Sequence, residues 1–222
     1  MTNDLIRLHN IAGSRSFRVL WLLTEMGITP ELAQYSITDG SLRTPEFLGA
    51  SPAGRVPALD IDGRTIYESG AIIEYLCETR PEHGFGRAPG DPERVPYLEA
   101  LHYAETMASI VASLNLQWLF LRDPSTRSNT VAKIDARRLE ATIAPLEGLL
   151  AKQDYILASG FSAADMMLGY NFLAAPYFVR LEPYPNIRAY IERVQSRPAF
   201  KKAQELDGKQ KFYKQDFYEV TG

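Results

Sequence analysis

The sequence predicts an α/β domain of order βαβαββα to about residue 80, followed by an all-α helical bundle from residue 93 onward. Three observations carry this reading. Short β-prone runs alternate with helical-period runs through the first part of the chain. Residues 81–92, Pro-Glu-His-Gly-Phe-Gly-Arg-Ala-Pro-Gly-Asp-Pro, are dense in proline, glycine and charge, which is the composition of a linker. Beyond them only helical periodicity recurs. At 222 residues the chain can bury a sizeable core as one large or two small domains.

Residues 5–9 are β-prone and supply the first strand. After the turn-like Ala12-Gly13, the run Ser14-Arg15-Ser16-Phe17-Arg18 opens a helix with Phe17, Leu20, Trp21 and Leu23 at helical spacing, and Gly27 ends it. Residues 32–37 form the second strand, Thr38-Asp39-Gly40-Ser41 a loop, and residues 45–48 a short helical turn. Residues 56–61 and 65–67 flank Asp62-Gly63, a strong signal for a two-residue hairpin. Pro57 heads the first of these runs, where a missing N–H is tolerated and where a cis bond after Val56 is compatible with the chain path. Ser69 then stands as N-cap of a helix reaching Leu76. This order is the thioredoxin-like arrangement, a parallel βαβ unit joined to an antiparallel pair. It places the first strand-to-helix turn opposite the Pro57 turn at the end of the sheet, where open α/β sheets bind ligands. The bare amides of the Ser69 helix make that end an anion site.

In the second domain, residues 93–121 read as one long helix with Leu98, Leu101, Ala108, Val111 and Ala112 on a repeating face, broken by Asp123-Pro124-Ser125. Residues 131–151 form another, with Ile134, Leu139, Ile143, Leu146 and Leu150 turned inward. Ser162 and Asp165 make a capping box with Phe161 placed to staple against Met166. The nearly uniform apolarity of residues 167–178 then predicts a buried central helix. Residues 186–196 and 199–205 complete the bundle. The tail to Glu219 mixes Lys202, Lys209, Lys211 and Lys214 with Phe212, Tyr213, Phe217 and Tyr218. It reads as a frayed surface strip or as a flap over the site.

Several functions are excluded. A net charge of −3 and a pI near 5.7 do not suit a nucleic-acid protein that relies on phosphate neutralisation. No apolar run spans a bilayer, and Met1-Thr2-Asn3-Asp4 lacks the features of a signal peptide, so a soluble cytoplasmic protein is expected. The single cysteine, Cys77, forbids an internal disulfide and a dithiol motif, and reads as a core thiol. His9, His83 and His102 show no ligand spacing, so no metal site is implied.

The run Arg55-Val56-Pro57-Ala58-Leu59, the hairpin, Glu68-Ser69-Gly70-Ala71-Ile72 and Tyr75-Leu76 together resemble the glutathione-binding half of the cytosolic glutathione transferases. A capping box like Ser162–Asp165 opens a central helix in that family, so the resemblance covers nearly the whole chain. It implies glutathione as co-substrate. The backbone of Val56, beside a cis Pro57, would pair with the cysteinyl part, and Glu68 with Ser69 would hold the γ-glutamyl end. The chemistry is consistent: an α-ammonium suits a carboxylate and an α-carboxylate suits a helix N-terminus. Leu42 stands where relatives often carry a polar residue for the glycyl carboxylate, which leaves Arg43 or Arg55 for that role. The resemblance also implies a homodimer, and a small hydrophobic electrophile bound between the domains with Tyr103, Glu105, Met107 and Trp118 as lining candidates.

In this family the first strand-to-helix turn stabilises the glutathione thiolate through Tyr, Ser or Cys. The turn here, residues 9–16, holds neither Tyr nor Cys. The run Ser-Arg-Ser-x-Arg-Val-Leu-Trp-Leu-Leu resembles a bacterial and fungal branch, which makes Ser14 the catalytic candidate. Ser14 precedes Arg18 by four residues, whereas the familiar serine classes use five, a position held here by Gly13. Asn10, Ser16 and a backbone amide stay open as alternatives, and Ser14 also reads as the cap of the first helix. The activity implied is conjugation of the glutathione thiolate to a small electrophile. A glutathione-dependent isomerase, dehalogenase or peroxidase, or a non-catalytic binding protein, would share the same fold.

Overall fold

The computed structural model describes residues 5–219. Among them β1 (Arg7–Asn10), β2 (Glu31–Gln34), β3 (Ala58–Ile61) and β4 (Arg64–Tyr67) form one sheet in the order β2-β1-β3-β4. β1 and β2 are parallel with Leu8 opposite Leu32, while β1 and β3 are antiparallel with Leu8 opposite Leu59. β3 and β4 pair through the Asp62-Gly63 turn, whose two residues have φ of 52° and 72°. Positive φ at both central positions matches the right-handed strand twist, and Asp-Gly adopts it at little cost. With α1 (Ser16–Glu25), α2 (Pro45–Ala50) and α3 (Ser69–Thr79), the expected thioredoxin-like order is complete. α1 is buried along Phe17, Leu20, Trp21 and Leu23, and Gly27 follows it with φ 74°.

The chain divides into two compact units, and their boundaries differ from a single cut at the linker. Of the described residues, 5–86 pack with Ser196–Lys211, and Arg87–Gln195 pack with 212–219. Helix α8 (Pro198–Asp207), expected in the bundle, therefore belongs with the sheet. The cause is aromatic packing and charge. Phe200 sets its ring edge-on to Phe17 at 5.3 Å and to Trp21 at 4.9 Å. Arg197 grips the Glu25 carboxylate with two hydrogen bonds of 2.6 and 2.8 Å.

The other unit is helical. α4 (Arg94–Asn115) continues into a π-helical turn, Leu116–Phe120, and α5 (Asn129–Leu150), α6 (Ala163–Asn171) and α7 (Pro185–Ser196) follow. α4 buries Tyr97, Leu101, Ala104, Met107, Val111 and Leu114, whereas Ala112, expected inside, is exposed. On α5, Ile134 is 52% exposed, and Asp135 lies buried beside it, accepting a 2.5 Å bond from Ser113. The capping box of α6 is present: Asp165 accepts from the amides of Ser162 and Ile156. Burial pushes its carboxyl up to about 6 against the pull of these donors. Phe161 packs edge-on against Tyr155 at 5.5 Å.

α6 stops at Asn171, well short of residue 178. Phe172, Leu173 and Ala174 donate to carbonyls three residues back, and Pro176 has no N–H to continue. Asn171 donates to the Ala104 carbonyl at 2.7 Å and ties this end to α4. The aromatic tail is packed, not frayed. Tyr213 stacks on Tyr177 at 4.0 Å and bonds Asn115, and the buried Tyr218 donates its amide to the Tyr177 carbonyl. Among the described residues no helix is long and apolar enough to cross a membrane.

Phe200→Ala should destabilise the sheet-bearing unit by about 3–5 kcal/mol, the usual cost of emptying a buried phenylalanine site. Urea unfolding followed by Trp21 fluorescence in a Trp118→Phe background reads this directly. A loss below about 1 kcal/mol would show that α8 is not part of that core.

Candidate functional site

After β4 the chain turns through Glu68 into α3. The expected cap is displaced by one residue: Glu68 occupies the cap position without a side-chain cap bond, and Ser69 is the first helical residue. Ser69 is instead tied to α1. It is 4% exposed, and its hydroxyl oxygen accepts a 3.1 Å bond from Nη1 of Arg18, a fully buried side chain. A guanidinium only donates, so the Ser69 oxygen accepts there and its single proton is left to donate elsewhere. A buried cation beside the N-terminus of an eleven-residue helix strongly favours an anion at this point. Glu68 is exposed and holds φ 72°, ψ 117°, a backbone geometry that costs a non-glycine residue about 1–3 kcal/mol.

The Val56–Pro57 bond is cis, as expected, and strand pairing begins at Ala58, so Val56 lies outside the ladder. Ser51 holds this turn by donating its hydroxyl to the Arg55 carbonyl at 2.7 Å. Gly54 has φ 62°, and a Cβ there would stand 2.8 Å from the Leu42 carbonyl oxygen and 2.7 Å from Arg43 Nη1. The close approach brings Arg43 against the turn that carries Arg55, and both side chains are exposed.

The three candidates at the first turn come together. Asn10, at the end of β1, is fully buried and its Oδ1 accepts from the Ser16 hydroxyl. The Ser14 and Ser16 hydroxyls lie 2.7 Å apart, and the Ser16 amide donates to the Ser14 oxygen at 3.3 Å. Ser14 thus tethers the start of α1, although Arg15 holds the cap position. A fourth residue joins them that sequence reasoning missed. Asp207, 6% exposed at the end of α8, accepts from Asn10 Nδ2 at 3.0 Å and from the Gly13 amide at 2.8 Å. Burial pushes its carboxyl up and these two donors pull it down, with burial the larger effect. No local pattern marks Asp207, which ends a lysine-bearing helix far along the chain.

The remaining candidates are engaged elsewhere. Cys77 is buried in α3 under Gly86, as a core thiol would be. Within the helical unit Met107 is fully buried and Tyr103 donates to the Thr142 carbonyl at 2.7 Å. The Arg127 guanidinium covers the Trp118 ring at 3.8 Å, and Glu105 is exposed.

Residues 13–79 match the family model described as the glutathione S-transferase N-terminal domain, and residues 129–193 match the glutathione S-transferase C-terminal domain. The chain belongs to the glutathione S-transferase family. It is 29% identical over 216 residues to glutathione S-transferase 3 of Schizosaccharomyces pombe, covering 90% of this chain and 87% of that one. It is 37% identical over 107 residues to a maleylacetoacetate isomerase of Rhizobium meliloti, about half of each chain. Among solved structures, a sphingomonad glutathione S-transferase complexed with glutathione superposes with TM-score 0.78 at 26% identity, covering 90% of this chain and 98% of that one.

Glu68→Gly should relieve the strained backbone and raise stability by about 1 kcal/mol, after allowing for the extra freedom glycine gives the unfolded chain. Urea denaturation without ligand checks this, and a loss of stability would show that Glu68 is not strained.

Proposed function

We propose that this family member binds glutathione at the end of the sheet and transfers its thiolate to a small electrophile. The observation that carries the reading is the Arg18–Ser69 pair, which leaves a hydroxyl proton at a cationic helix N-terminus. In this reading Ser69 and the first amides of α3 take the γ-glutamyl carboxylate, and Glu68 takes its ammonium. The backbone of Val56 takes the cysteinyl part, Arg55 or Arg43 the glycyl carboxylate, and Ser14 the sulfur. The sphingomonad relative, solved with glutathione, supports the choice of ligand.

A free thiol titrates near about 8.5 and is only slightly ionised at neutral pH. Lowering it to about 6.5 requires roughly 2.7 kcal/mol of preference for the anion. A hydroxyl donated to sulfur supplies about 1.5–3 kcal/mol, and a helix N-terminus about 0.3–1. The thiolate then attacks the electrophilic carbon, forming the C–S bond as the leaving group, a halide for an aryl halide, departs with its electron pair.

A second reading comes from the stretch 37% identical to an isomerase. There the thiolate would add to the substrate and leave again, regenerating glutathione. The two readings differ in stoichiometry. Conjugation consumes one glutathione per turnover, and isomerisation consumes none.

Ser69→Ala should weaken glutathione binding about ten- to a hundredfold, the worth of a hydrogen bond to a charged group. Calorimetry on the folded variant tests this, and unchanged affinity would show the site is misplaced. In the wild type, turnover of a chlorodinitrobenzene with loss of glutathione is the expected activity. Retention on glutathione resin with no turnover of any electrophile would instead support a binding protein.

The proposed assembly is a homodimer, supported by the apolar Val95, Leu116, Phe120 and Ile134 that the helical unit leaves exposed. Light scattering at micromolar concentration should give twice the mass of 24.9 kDa, and a monomeric mass would overturn the assembly.

A further inference from the structure

Asp207, Asn10, Ser16 and Ser14 form a hydrogen-bond chain from a buried carboxylate to a half-buried hydroxyl, and counting protons gives it a direction. An ionised carboxylate only accepts, so Asn10 turns Nδ2 to Asp207 and Oδ1 to Ser16. The amide oxygen has no proton, so Ser16 donates to it, with a second, longer approach of 3.4 Å to the Ile11 carbonyl. Ser16 has a single proton, so Ser14 is the donor between the two hydroxyls. Every proton points inward, and Ser14 has committed the one it could offer to an anion outside.

One change reverses this. With a proton on Asp207, the acid donates to Asn10 Oδ1, Asn10 Nδ2 donates to Ser16, Ser16 donates to Ser14, and the Ser14 proton faces out. The other Asp207 oxygen still accepts from the Gly13 amide, and the two long approaches, of Asn10 to Gln34 at 3.5 Å and of Ser16 to the Ile11 carbonyl at 3.4 Å, are given up.

Resting on the reading that places the glutathione sulfur beside Ser14, we propose that Asp207 is a positioning residue that sets the acidity of the bound thiol through the direction of this chain. A thiolate at Ser14 and a carboxylate at Asp207 compete for the same protons. Ionisation of the thiol therefore favours protonation of Asp207 by proton exchange with solvent, and an ionised Asp207 opposes the thiolate. The Asn10 amide rotates and carries no proton, so the exchange passes through water. Coupled groups of this kind titrate as a pair. The causes that move Asp207 are its burial and its two donors. The other charged groups on the elements around it are engaged elsewhere or exposed, except Arg15, which is half-buried at the cap position of α1. On α1 Arg18 binds Ser69 and Glu25 binds Arg197. On β1 Arg7 binds Glu31 and His9 binds Asp60. Lys201, Lys202 and Glu205 on α8, and Lys209 after it, are exposed.

The test is ultraviolet titration of the bound glutathione thiolate. Asp207→Asn keeps the shape, donates to Asn10 Oδ1 and still accepts from Gly13, so it fixes the outward direction. The thiol pKa should fall by about one unit. In a Ser16→Ala background, where the chain is cut but the charge is still removed, the same substitution should lower it by less than about 0.3. An equal fall in both backgrounds would assign the effect to charge alone and overturn the proposal, as would no fall in Asp207→Asn. Ser14→Ala separates the two layers. No shift there overturns the placement of the sulfur and the proposal with it, whereas a shift there without one in Asp207→Asn overturns the proposal alone.

Discussion

The sheet-bearing unit depends on one buried cation. Arg18 is fully buried on α1, and removing a guanidinium from water costs several kcal/mol unless its donors are met by fixed acceptors. That requirement ties α1 to the first residue of α3 through Ser69. The same bond decides what the end of the sheet can bind, since the cation, the helix amides and the free hydroxyl proton all favour negative charge.

Two serines of similar burden face opposite partners. Ser69 meets a group that can only donate, so its proton is released outward. Ser14 leads through Ser16 and Asn10 to a group that, ionised, can only accept, so its proton is drawn inward. The residue type is the same, and the chemistry is set by the charged residue behind it. A hydroxyl read alone from a motif says where a donor could be. The group behind it says whether the donor is available.

What was legible in the sequence was what short-range chemistry dictates. Asp62-Gly63 specifies its hairpin because both positions need positive φ, and Ser162 with Asp165 specifies a helix start because both groups of the box lie within one turn. The thioredoxin-like order was readable from the succession of β-prone and helical-period runs, and the cis bond before Pro57 from the family resemblance. Failures came where a distant partner decides. Ser69 looked like a cap because Arg18 lies 51 residues away. The end of α6 was overrun because the apolar run was weighed above Pro176, a readable stop, and because Asn171 is held by a distant carbonyl on α4. On α5 the apolar pattern chose Ile134 over the buried Asp135. The candidate site was half visible: Asn10, Ser14, Ser16, Glu68 and Ser69 stood in recognisable runs, while Asp207 did not.

The return of α8 to the sheet has a consequence for how the protein is made. The unit containing the sheet is discontinuous in the chain, interrupted between Gly86 and Ser196. A ribosome adds about 5–20 residues per second, so on the order of ten seconds separate emergence of the sheet from emergence of its last helix. Throughout that interval the side of α1 that carries Phe17 and Trp21 lacks Phe200, and the first turn lacks the carboxylate that holds Gly13 and Asn10. Synthesis in the usual N-to-C order therefore yields a nascent sheet with an open aromatic seam. Only the arrival of α8 closes it.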